Sequence, residues 1–304
     1  MFASLLTTVF FSFSAIFATR SIKTIGSTTA NLGRLALAMF FLGLYAHLFG
    51  IGLGGAGRDW FLLSGVIGMG LGDLALFAAL PRLGSRLTVL MCQCIAVPVA
   101  MQAEWMWMGT RLTLGQISWA FVILVGVTVA LMPSRRDPPK VPVTRLGLLF
   151  GFLAAVGQGL GAVVSRHAYE VTTAAGSSID GVNAAYQRIT GGLCITAAYF
   201  IIRHLAQRRR ETAVTATPPL DRSTRLRGWA LILANALCGP TLGVSCYQWA
   251  LATTPSGIVL PIVATTPLVI IPLSYWIEGD RPSRRSVVGG IIAVAGVVAL
   301  TLVR

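Results

Sequence analysis

Asp73 is the residue most able to do chemistry in an otherwise apolar setting. It follows Gly68-Met-Gly-Leu-Gly72 and is the one acid in the run Trp60–Leu80. A charge so placed is costly in a membrane unless it meets a partner or a wet cavity. A carboxylate there has three uses: it binds a substrate ammonium group, carries a coupling proton, or pairs with Arg34 for structure alone. Arg34 and Arg188 each lie about two turns inside an apolar run, Thr29–Phe49 and Val182–Ile202. That depth suits a structural or gating charge, through snorkelling or an ion pair. The other use of either guanidinium is to hold a substrate carboxylate with its fork of donors.

Neutral polar residues recur inside the same kind of run. The candidates for contact with a solute are Asp73, Gln93, Gln158, Tyr186, Gln187, Asn235, Tyr247, Gln248, Trp249 and Thr265. Any one of them could be satisfied by a bond between helices. Tyr247, Gln248 and Trp249 together make an aromatic and amide cluster suited to a planar or amphipathic solute. Pro98, Pro240, Pro261 and Pro267 each remove a helical hydrogen bond, which marks them as candidate gating kinks. There is no Walker loop, no His-Glu-x-x-His and no Gly-x-Ser-x-Gly. The reading is therefore not an enzyme, with no cofactor, no metal and no catalytic residue.

Such residues need helices to hold them. The chain has 304 residues, 55% hydrophobic and only 11% charged, about half the charged share of a soluble domain. Ten apolar runs reach membrane length: Phe2–Ile22, Thr29–Phe49, Trp60–Leu80, Ser85–Trp105, Leu112–Met132, Thr144–Ser165, Val182–Ile202, Gly228–Leu251, Gly257–Ile277 and Ser286–Val303. They predict an all-α integral membrane protein of about ten spans. The first run has no basic stretch before it and reads as a retained helix. The five cysteines read as small buried hydrophobes. Residues 204–227 form the one long loop, and it is basic.

The net charge of +14 does not point to nucleic acid, because the loops after spans 1, 3, 5, 7 and 9 hold 18 of the 24 Lys and Arg residues. Basic loops of that kind orient helices and meet membrane lipid. They place the odd loops in the cytoplasm and both termini outside, in a bacterial inner membrane.

The runs also repeat. Arg20 and Arg166 end spans 1 and 6, and Arg34 and Arg188 enter spans 2 and 7. Gly68 and Gly72 match Gly239 and Gly243, while Gly109 and Gly126 match Gly279 and Gly296. This divides the chain into a first half, 1–133, a polar linker, 134–143, and a second half, 144–304. Five spans per half is odd, so the halves are inverted, as in secondary transporters with a site at the repeat interface.

In these features the chain resembles the drug/metabolite transporter superfamily, and within it the ten-helix EamA-like exporters, which include amino-acid exporters. The usual Gly-Glu before the fifth helix of each half appears as Gly109-Thr110 and Gly279-Asp280, with Glu104 nearby in the first half. The resemblance implies a central cavity lined by the first, third and fourth helices of each half. It also implies a homodimer contact on spans 4, 5, 9 and 10. The function expected is a secondary carrier moving small metabolites, most readily amino acids, outward by alternating access. The competing expectation is a non-transporting scaffold or lipid-handling subunit.

Overall fold

The computed structural model describes residues 1–132, 142–208, 221–278 and 283–303. The linker proline Pro133 and the pair Gly279-Asp280 lie outside these residues. Twelve α-helices follow in order: α1 Phe2–Ile25, α2 Ser27–Leu48, α3 Arg58–Gly65, α4 Asp73–Met108, α5 Leu114–Leu131, α6 Arg145–Ala174, α7 Gly181–Arg208, α8 Arg222–Ala236, α9 Val244–Thr253, α10 Ser256–Val263, α11 Thr266–Glu278 and α12 Arg284–Leu302. Two π segments, Val66–Gly72 and Leu237–Gly243, join α3 to α4 and α8 to α9. No strand occurs among the described residues. The protein is an all-α membrane protein.

Nine stretches among the described residues are long and apolar enough to cross a bilayer. The tenth span is α7, whose 28 residues are long enough to cross and carry Gln187, Arg188 and Arg203. It crosses under cover of its neighbours. Leu35, Ala38 and Leu42 of α2 pack against Ala185 and Ile189 of α7, and all five are fully buried.

Spans 3 and 4 meet inside α4 at Gly84, whose φ of 77° breaks the helix. That left-handed value needs a residue without a Cβ. Side chains start several of the other helices. Thr113 and Gln116 form a capping box for α5, Thr144 caps α6, and Asp180 accepts from the Val182 and Asn183 amides of α7. The loop read as 204–227 is shorter at both ends, because α7 runs to Arg208 and Asp221 caps α8 from Arg222.

Glycine sets the closest packing. A Cβ on Gly161 would stand 2.9 Å from the Cα of Gly68, and one on Gly157 would stand 2.8 Å from the Cα of Gly72. The small face of span 3 thus lies directly against α6. Along α5 and α12, Gly126 meets Ala293, and Gly296 meets Ile123. Not every cysteine is buried as expected: Cys194 faces outward, where the surrounding lipid makes an exposed thiol cheap.

Candidate substrate site

Six spans close around a cavity of about 290 Å³. Its lining comes from α1, span 3, the second part of α4, α6, span 8 and α10, with one arginine each from α2 and α7. Most of the wall is apolar, including Phe11, Leu76 and Val263. The polar side chains that reach it are Ser14, Arg34, Asp73, Gln93, Gln158, Arg188 and Tyr247. A small cavity with a few converging polar groups is the usual build of a small-molecule site.

Asp73 opens α4 directly after the π segment and is 8% exposed. One carboxylate oxygen lies 3.4 Å from Nη2 of Arg34, and the other accepts from Nε2 of Gln158 at 3.3 Å. Arg34 also donates from Nε to Asn31 at 2.8 Å. Asp73 is therefore in an ion pair and at the cavity wall at once. A second cavity, of about 820 Å³, is lined by Asn31 and Leu74 beside that pair, and by Arg82 and Arg203.

Arg188 behaves differently from its sequence counterpart. It is 2% exposed and does not snorkel to a boundary. The reason is local: Gly68 leaves room for its head, since a Cβ there would sit 2.7 Å from Nη2. Nη1 donates to the Ser165 hydroxyl at 3.0 Å, and the guanidinium lies over the Tyr247 ring at 5.5 Å. Ser165 also accepts from Nε2 of Gln248 at 3.0 Å and stands 2.6 Å from the Ser64 hydroxyl. With both lone pairs of Ser165 taken by donors, its proton must go to Ser64. Ser64 in turn donates to the Gly161 carbonyl at 2.6 Å. This chain of bonds fixes the head of Arg188 from one side only.

The remaining candidates lie away from the wall. Gln248 is fully buried and reaches the site only through Ser165. Asn235 accepts from Ser14, one contact behind the cavity. Gln187 donates to the carbonyls of Gly52 and Gly54, and Tyr186 bonds His47, so both hold the connection between α2 and α3. Thr265 bonds the Ile262 carbonyl at the break between α10 and α11. Trp249 is 50% exposed and packs on Phe2, which removes it from the cluster with Tyr247. The cause is helical spacing: two residues along α9 turn a side chain roughly 200° away.

The prolines divide likewise. Pro240 sits in the second π segment and lines the cavity. Pro267 is the second residue of α11, where a proline is tolerated, and the chain breaks just before it. Pro261 lies within α10, and Pro98 lies within α4 without breaking it.

One cluster went unread as a unit in the sequence. Glu104, 2% exposed near the end of α4, accepts from Nε of Arg166 at 3.0 Å, and from both the amide (2.7 Å) and the hydroxyl of Ser256. Arg166 also donates to the Leu251 carbonyl at 2.9 Å. Spans 4, 6, 8 and 9 are tied at one level. The signal was present, since a buried acid at a span end demands a cation, but which arginine answers it depends on the fold.

A largely apolar cavity within a membrane bundle, with Arg34, Asp73 and Arg188 in its wall, has the build of a small-solute site. The family model described as the EamA-like transporter family matches residues 145–302, more than half of the chain, and the chain belongs to that family. It is therefore a multi-pass membrane transporter of the drug/metabolite transporter type. No curated protein matches it. One solved crystal structure is similar at a TM-score of 0.73 and 19% identity, covering 99% of this chain and 96% of its own, which supports the fold.

Proposed function

We propose that this protein is a secondary carrier that exports amino acids or closely related small metabolites across a bacterial inner membrane by alternating access. The observation that carries the reading is the cavity itself. It lies where six spans meet, and Asp73, Gln158, Gln93, Arg188 and Tyr247 supply a few polar groups in an apolar wall. Its volume is at the low end for ligand sites, which suits a solute of amino-acid size.

The proposal takes 1–133 and 144–304 as inverted halves with outward termini. Support comes from the two π segments, which fall at the matched pairs Gly68/Gly72 and Gly239/Gly243. The wall draws on the first, third and fourth spans of each half. Such halves can rock about the cavity, with the breaks at Gly84 and before Pro267 as hinges.

The test is counterflow in proteoliposomes with a pool of labelled amino acids, with and without an imposed pH gradient. Uptake is expected with the native protein and with Arg111→Ala, which alters an exposed loop residue. It should fall at least about tenfold in Asp73→Asn, where Arg34 loses its counter-charge. Absence of flux for every amino acid would overturn the assigned substrate class.

A further inference from the structure

The two arginines that match by position are not matched in their partners. Arg34 has Asp73 at 3.4 Å. Among the described residues no carboxylate stands within 4.0 Å of Arg188. The cause lies in one position: Gly72 is followed by Asp73, whereas its match Gly243 is followed by Val244, also at the cavity wall. The position after Gly243 offers Arg188 no acid of its own, and Asp73 acts on it only from beyond 4.0 Å.

An arginine stays charged under any ordinary condition. Its neighbours here, the Ser165 hydroxyl, the Gly161 carbonyl at 3.5 Å and the Tyr247 ring, are neutral. All the hydrogen bonds run from Nη1. Nε is buried without a partner, and Nη2 makes no hydrogen bond among the described residues. Nε and Nη2 share an edge of the kind that grips a carboxylate through parallel bonds; Nε is enclosed and Nη2 lies beside Gly68, so a carboxylate engages that edge as the head shifts toward the cavity. The ionised side chains of the wall are Arg34, Asp73 and Arg188, which leaves one positive charge over. A buried charge without a counter-charge is expensive, and a monoanionic solute supplies what is missing.

Resting on the carrier reading, we propose that Arg188 anchors the carboxylate of the transported solute, and that the cavity prefers solutes with one net negative charge over zwitterions and cations. One arginine, rather than a cluster, fits a carboxylate better than a phosphate dianion. Tyr247 floors the site, and the apolar wall takes the solute's side chain.

Three solutes with one branched side chain test this: 4-methyl-2-oxopentanoate, leucine and 3-methylbutylamine. Binding to the purified full-length protein in detergent is followed by thermal shift and calorimetry. The oxo acid is expected to bind about tenfold tighter than leucine, and the amine not measurably. A charge-assisted bidentate contact is worth about 10- to 100-fold, so Arg188→Gln should lose that much oxo-acid affinity and abolish the ranking. Val244→Asp places a carboxylate at the position matching Asp73 and should exclude the oxo acid without touching Arg188. Equal affinities in the native protein, no response to any of the three, or an oxo-acid preference that survives Arg188→Gln would each overturn the proposal. Counterflow of leucine alongside equal affinities would leave the carrier reading standing, whereas charge-ranked binding without any flux would sink that reading and leave Arg188 only as the anchor of a bound carboxylate.

Discussion

Replacing Glu104 with Gln removes a single charge and almost no volume, so its effect isolates the clamp. The native carboxylate receives three donors: Nε of Arg166, and the amide and hydroxyl of Ser256. A carboxamide has one acceptor oxygen, so its NH₂ must face either Arg166 or the Ser256 amide, both of which donate. Arg166 is left with the Leu251 carbonyl alone. Breaking a buried ion pair from one side costs about 3–5 kcal/mol. The Arg166 side chain is 18% exposed and relaxes somewhat, so the lower end applies. At about 2–4 °C per kcal/mol, the unfolding midpoint should fall by roughly 6–12 °C. Tryptophan fluorescence during heating in detergent reads this directly. The double variant Glu104→Gln/Arg166→Leu removes both charges and should lose less than the sum of the singles, with a coupling of about 1.5–3 kcal/mol. A single variant within about 2 °C of native, or strict additivity in the double, would refute the clamp. Solute affinity should fall too, because Ser256 opens α10, and Leu260 and Val263 of α10 line the cavity.

Two further substitutions probe packing and the cavity wall. Gly161→Leu pushes a side chain into the Gly68 backbone, 2.9 Å from the first added carbon. Overpacking of this kind costs about 1–3 kcal/mol or more, and it should lower the midpoint and abolish solute binding. At Gly290 an added Cβ meets nothing within 4 Å, so Gly290→Ala should stay within about 0.5 kcal/mol of native in the same melt. Tyr247→Ala removes the ring beneath Arg188, an interaction of about 0.5–2 kcal/mol, so calorimetry should show solute affinity down roughly 2- to 30-fold. Trp249→Ala, on an outward face, should leave that affinity unchanged.

The spans were legible because apolar length is a local property. The same holds for α7, whose apolar run Val182–Ile202 stands out despite Gln187 and Arg188. The caps that start α5, α6 and α7, at Thr113, Thr144 and Asp180, are equally local but went unread. The Asp73–Arg34 pair was readable as an alternative, since a lone acid and an inward arginine in neighbouring spans have few other partners. What could not be read was direction around a helix axis at single-residue resolution. Tyr247, Gln248 and Trp249 are adjacent in sequence but end respectively at the wall, behind it and on the outer surface. Gln187 and Arg188 are likewise neighbours, and one braces a loop while the other enters the cavity.

Equivalence by position does not carry equivalence of partners, and the proposed charge preference rests on the difference. With an acid after each of the two π segments, each arginine would sit in a neutral pair, and the cavity would hold no net charge to recruit a solute. One valine at 244 changes that balance while leaving the backbone of span 8 free to form the same π segment as span 3. The scaffold that lets two halves pack, glycine on glycine, is thus separable from the charge that selects what enters. On this view, variation at the Asp73 and Val244 positions should alter solute charge preference without altering the fold, whereas variation at Gly157 or Gly161 should destabilise the fold and lose binding of every solute alike. A Val244→Asp protein that melts like the native one but no longer binds a carboxylate would establish that separation.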